Sequence, residues 1–185
     1  MTIERFEESC IRGVKSAFKK HYKFTGGLPL GRAPEGFIQG EIACALARVS
    51  RFVTLETGVK ELLLKSNAEM RGKKPRNGRI DIAAWWKSGK PRFLIEIKKV
   101  WPHDSISSDV KRLRQVLGRG DGTCREGLVV AYVQAKKAET LERRLTGVAG
   151  RCKVKRHLTH GPVPYFNIHS RETEYWGAAC FRVDA

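Results

Sequence analysis

The chain contains no apolar run approaching the roughly 20 residues that a bilayer crossing requires. Its first stretch, MTIERFEESCIRG, lacks the apolar segment and cleavage site of a secretory signal. A cytoplasmic, soluble protein is the expectation. Cysteines are few and do not pair off: Cys10, Cys44, Cys124, Cys152 and Cys180 are odd in number and widely scattered, which fits reduced thiols rather than a disulfide framework. The spacing of Cys152, His157 and His160 matches no regular zinc pattern. Neither GxxxxGK[ST] nor GxGxxG occurs, so no ATP-driven translocation or dinucleotide chemistry is expected. There is also no internal repeat and no linker long enough to divide 185 residues, which suit a single domain spanning 1–185 with its own core.

Acidic residues are in short supply as well. Against 36 Lys and Arg stand 19 Asp and Glu, a net charge of +17. Such an excess attracts a polyanion by releasing its counterions, which makes nucleic acid the first partner to consider. An acidic membrane surface ranks second, because no segment joins a long basic amphipathic face to the aromatic anchors of an interfacial helix. A merely solubilising surface is the plain alternative.

Periodicity supplies the elements. Ile3, Phe6, Cys10, Val14, Phe18 and Tyr22 recur at spacings of three and four, predicting an amphipathic helix over 3–24. TGGLPLGRAP breaks it, and Pro34 suits the start of a second helix over 35–49, with Ile38, Ile42, Ala45, Leu46 and Val49 as its stripe. Short β-rich runs follow: RFVTLET, RIDIAAWW, RFLIEIKKV and GLVVAYVQ. Between the third and fourth lies DSISSDVKRLRQVL, with Ile106, Val110, Leu113 and Leu117 on one face, and KKAETLERRL follows the fourth. This order predicts an α/β fold, a central mixed β-sheet flanked by helices, with one or two C-terminal edge strands near YFNIHS and YWGAACFRV. Residues 1–34 form an N-terminal helix and loop, 35–135 the core, and 136–185 a helix and edge strands.

Within the apolar strands three charges stand out. Residues two apart on a strand share a face and lie roughly 6.5 to 7 Å apart, so Glu96 and Lys98 project together while Phe93, Ile95 and Ile97 face the opposite way. In the preceding strand Asp81 shares a face with Ala83 and Trp85, opposite Ile80, Ile82 and Ala84. The short connection KSGKP makes the strands neighbours and antiparallel, which lets Asp81 and Glu96 meet. Two carboxylates beside a lysine are costly to bury but well suited to a hard divalent cation, which takes oxygen ligands and keeps several waters.

Asp81, followed after fourteen residues by Glu96-Ile97-Lys98, resembles the signature of the PD-(D/E)xK nuclease superfamily. Ile80 stands where the name-giving proline would be. The resemblance covers roughly residues 35–117 and implies a restriction-endonuclease-like core. It implies Mg2+ or Mn2+ held by Asp81, Glu96 and the Ile97 carbonyl, with Lys98 handling the attacking water. A carboxylate from a preceding helix is common in the family, and Glu41, at the border of the apolar stripe, matches that role directly or through water. Glu56 is a competing third carboxylate. The resemblance further implies an endonuclease acting on DNA, and a homodimer where two strands must be cut.

The loop RGKKPRNGR adds Arg71, Lys73, Lys74, Arg76 and Arg79 without an acidic residue, and together with Lys99 it could bring the phosphate backbone to the metal. A second basic region, Arg143, Arg144, Arg151, Lys153, Lys155 and Arg156, could extend the track, both regions reading as segments that order on binding. Each residue also has a bland reading. Asp81 could pair with Arg79, Glu96 and Lys98 could form an ion pair on a solvated face, Glu41 could pair with Arg48, and Gln115 reads as solvent-exposed. Two other functions stay open: a non-catalytic DNA-binding protein with the same fold, and an RNA-directed nuclease.

Overall fold

The structure, a computed structural model, describes residues 2–68, 78–100, 106–119, 122–124 and 126–185. The chain runs α1 (Ile3–Phe24), a 3-10 turn (Leu30–Arg32), α2 (Glu35–Ala47), β1 (Phe52–Gly58), α3 (Val59–Lys65), β2 (Arg79–Trp85), β3 (Pro91–Val100), α4 (Ser107–Leu117), β4 (Glu126–Ala135), α5 (Ala138–Cys152), β5 (Lys155–Asn167) and β6 (Glu172–Val183). The strands form one six-stranded mixed sheet in the order β1-β2-β3-β4-β6-β5. β3 and β4 pair in parallel and every other neighbouring pair is antiparallel. The expected α/β architecture is therefore the observed one. Among the described residues no helix is long and apolar enough to cross a membrane.

Both faces of the sheet are covered, which explains why β4 is apolar along nearly its whole length. On one face α1 and α2 pack Phe6, Val14, Ile38 and Ile42 against Ile82, Ile95, Ile97 and Val130. On the other, α3, α4 and α5 pack Leu62, Val110, Leu113 and Leu141 against Leu94, Val129 and Phe181. The two helices of the first layer cross very closely. A Cβ built on Gly13 of α1 would lie 2.4 Å from the Cα of Ile42 in α2, so only glycine allows this approach.

Three features differ from the expectation. β6 lies inside the sheet between β4 and β5, leaving β5 as the edge, because its both-sided run Ala178–Phe181 is buried against both helical layers. The short helix α3 follows β1 directly, where the sequence suggested only a passage between strands. The second basic region is regular structure rather than an unformed segment: it spans the end of α5 and the start of β5, where Arg156 pairs with Glu142 and Arg144 donates to the Gln134 carbonyl.

Candidate metal and nucleic-acid site

β2 and β3 are hydrogen-bonded neighbours from Trp85 and Pro91 back to Ile82 and Ile95. One step further along this register Asp81 faces Glu96, and there the pairing changes character. The Ile97 backbone N–H donates to the Asp81 carboxylate, Oδ2, at 2.6 Å instead of to a backbone carbonyl. Asp81 also marks a change of side in β2. Ile80 packs with the α3–α5 layer while Ile82 packs with the α1–α2 layer, although strict alternation would put both on one face. The partner strand is irregular at the same level: Glu56 of β1, opposite Asp81, takes a left-handed φ of 53°.

Around this point the charges converge. Glu96 is 2% exposed. Burial, reinforced by the neighbouring Asp81 carboxylate, pushes it up to about 9 despite the pull of Arg112. Burial and the Asp81 carboxylate thus favour the protonated form of Glu96, which shares a hydrogen bond with Asp81. Asp81 is also raised, first by burial, against the lowering effect of the Ile97 N–H. From α4, Arg112 donates to Glu96 Oε1 at 2.8 Å, to the Arg79 carbonyl at 2.7 Å and to Asp109 Oδ1 at 3.0 Å. Asp109 Oδ2 in turn lies 3.1 Å from the Lys98 ammonium. Burial favours a neutral Lys98, but Asp109, Glu35 and Asp81 outweigh it and raise the lysine, which stays charged.

The structure brings Asp81, Glu96, Ile97 and Lys98 together, as the spacing predicted. It does not bring Glu41 to them. Glu41 accepts hydrogen bonds from Ser16 at 2.7 Å and from Lys20 at 2.7 Å, both on α1, and these hold its carboxyl low against the effect of burial. It lines a groove between α1 and α2 with Arg12, Lys15, Lys19 and Arg48. The physical reason is helical phase. Gln39, two residues earlier, turns toward the sheet and donates to the Asp81 carbonyl at 2.6 Å and to Glu56 Oε1 at 2.9 Å. Two residues rotate a helix by about 200°, so Glu41 points away. The α2 carboxylate electrostatically coupled to the site is Glu35, one turn before Gln39. It is half-buried and raised by burial, and it senses the charges of Lys98, Asp81, Lys99 and Asp109.

Asp109, Arg112, Glu35 and Gln39 were missed by the sequence reading. The signals present were the i, i+4 pair Glu35 and Gln39 and the i, i+3 pair Asp109 and Arg112 beside an apolar stripe. Of the predicted backbone-binding residues, Arg71, Lys73, Lys74 and Arg76 lie outside the described residues. Arg79 is exposed at the start of β2. Lys99 reaches the opposite face of the sheet, where its ammonium donates to the Ala33 carbonyl at 3.0 Å and anchors the entry to α2.

Asp81 and Glu96 could supply the donor set of a hard cation: two adjacent carboxylates, Glu96 buried and Asp81 partly so, where a metal could replace a proton. Among the described residues no three His, Cys, Asp or Glu side chains gather into a cage, so a cation here needs water or substrate oxygens to complete its shell, as Mg2+ commonly does. Comparisons with protein-family models, with curated proteins and with solved structures found no match.

Proposed function

We propose that the protein is a magnesium-dependent nuclease of the PD-(D/E)xK type that hydrolyses a phosphodiester bond in DNA. The observation that carries this reading is the meeting of Asp81 and Glu96, with Lys98 beside them, where β2 and β3 part. A carboxyl pair that must retain a proton when buried is a poor element of stability. It becomes useful when a divalent cation takes the proton's place.

Asp81 and Glu96 would hold Mg2+ or Mn2+, together with oxygens of the substrate, water and the Ile97 main chain. Such an ion, when bound, polarises a phosphoryl oxygen and acidifies a water. The chain's own residues then act in distinct roles. Lys98, kept charged by Asp109, serves as a point charge against the negative charge that grows on the phosphoryl group, rather than as a base. Glu35, half-buried and raised, is the carboxyl able to take a proton from the attacking water. In the hydrolysis the water oxygen bonds to phosphorus, the ester P–O bond opens, and the leaving oxygen gains a proton from solvent. Arg112 and Asp109 orient Glu96 and Lys98 without meeting substrate.

The decisive experiment incubates the protein with linear, plasmid, single-stranded and branched DNA, with Mg2+, Mn2+ or chelator. Metal-dependent cleavage is expected, lost in Asp81→Asn and in Lys98→Ala. Cleavage that persists in both variants would falsify the assignment. A second reading rests on the Arg112 guanidinium donating to Glu96 at 2.8 Å, which satisfies the buried carboxyl without any metal: a binding protein that does not cut. It predicts salt-sensitive DNA binding with no products under any metal. Competition between duplex DNA and structured RNA at matched salt distinguishes an RNA-directed enzyme.

A further inference from the structure

At the far end of β2 and β3, where the hairpin turns, lies a cavity of about 750 Å3. Its walls include the indoles of Trp85 and Trp86 and three cationic side chains, Arg51, Lys87 and Arg92. No carboxylate lines it among the described residues. Both indole N–H groups are spent within the protein, Trp85 on Thr54 Oγ1 at 2.8 Å and Trp86 on the Thr123 carbonyl at 3.0 Å. These bonds fix the ring planes, so what Trp85 offers a ligand is a ring face, while Trp86 already carries the Arg92 guanidinium on one of its own. The Arg92 guanidinium stacks over one face of Trp86 at 3.9 Å from the ring centroid, and Phe52, next to Arg51, is 46% exposed in a neighbouring pocket that shares Trp85, Trp86 and Lys87 and also holds Glu61.

Fixed aromatic planes bordered by one sign of charge suit a ligand that is flat and apolar in one part and anionic in the next. A nucleotide has that form. Stacking on aromatic side chains with cationic contacts to the backbone is how unpaired strands are held without sequence readout. A paired base offers no face to such a pocket. We infer that this cavity binds an unpaired nucleotide, its base against Trp85 and the Arg92–Trp86 stack and its phosphate against Arg51 and Lys87. Trp85 lies four residues along β2 from Asp81, about 13 Å at the strand rise of roughly 3.3 Å per residue. That is about four steps of a duplex strand. On the nuclease reading, on which this last step rests, the preferred substrate therefore carries a single-stranded segment beside the bond to be cut.

Intrinsic tryptophan fluorescence, titrated in chelator with an unstructured oligothymidylate and with a blunt hairpin duplex of equal charge, tests the pocket apart from cleavage. Saturable quenching by the oligothymidylate is expected. Its affinity should fall roughly 5- to 150-fold in Trp85→Leu, recover in Trp85→Phe, and leave duplex binding unchanged. Arg51→Ala with Lys87→Ala, both at exposed positions, provides a variant that spares the core and must also weaken the oligothymidylate. Unchanged affinity in both variants overturns the inference. So does equal competition by polyglutamate, which would mark an acidic-peptide site. Asp81→Asn should bind the oligothymidylate normally, so a failure of cleavage and a failure of this pocket are read separately.

Discussion

Glu96 is a carboxyl whose charge the fold penalises. Its folded value of about 9 lies above the ordinary 4.5 because burial and the adjacent Asp81 penalise the anion. A raised carboxyl contributes its full stability below the ordinary value and loses it as pH climbs toward the folded one. The metal-free protein should therefore lose stability between about pH 5 and 9, and Glu96→Gln should remove that loss. We expect Glu96→Gln to be more stable than the parent at pH 8 in chelator, by several kcal/mol, while cleavage disappears. Thermal melts across pH, paired with a cleavage assay, decide it. A Gln variant that melts lower would show that the anion paired with Arg112 is the stabilising form.

Two glutamates of one helix give a second residue-scale contrast. Glu35→Gln should reduce metal-dependent cleavage by roughly 10- to 1000-fold, in the range of general acid–base contributions. Glu41→Gln should leave it within about twofold, since its carboxylate only ties Lys20 and Ser16 across the helix pair and such exposed pairs are worth little. The reverse order would return the helix carboxylate to Glu41. The strand residues could be read from the sequence because Asp81, Glu96 and Lys98 are charges set among unmistakable core residues, and because β3, unlike β2, keeps strict two-phase alternation. The helix carboxylate could not. The apolar stripe of α2 has two borders, one meeting α1 and one meeting the sheet, and residue spacing alone does not say which is which.

At the scale of elements, α1 and α2 depend on their contact at Gly13. Gly13→Ala forces a methyl against the Ile42 backbone, which cannot step aside as a flexible side chain can. The helices must separate, and chemical denaturation should show a loss of about 2–3 kcal/mol. Ala at the open position Gly40 of α2, where nothing lies within 4 Å of a Cβ, should be neutral or slightly stabilising. The main helices and the strands of the core were legible because their apolar periods are long or their β-branched runs are dense. α3 was not, since seven residues of VKELLLK give barely two turns. The contribution of α4 was hidden differently: Asp109 and Arg112 flank its apolar stripe, and only the packing of that helix over β3 reveals that both turn toward Glu96 and Lys98.

For the whole molecule, the charge of +17 sets how any polyanion is held. Binding to duplex DNA in chelator should weaken steeply with salt, with log affinity falling against log salt with a slope of about −4 or steeper if at least five phosphates are neutralised. A slope near zero would mean that the basic surface serves solubility alone. Composition alone raises this expectation, but composition has no position. The distribution of cations over the α1–α2 groove, the hairpin cavity and the strand edge is a property of the folded chain.

The single amide of Ile97, bonded to a side chain where its neighbours bond to backbone, makes the candidate centre observable without substrate or product. A backbone proton held by a carboxylate shifts its NMR resonance when that carboxylate changes charge or acquires a new partner. In an isotope-labelled sample, addition of Mg2+ should displace the Ile97 cross-peak in a saturable way while resonances in β5 stay still, and Asp81→Asn should silence the response. One peak in a two-dimensional spectrum would then report whether the ion arrives and how tightly it stays.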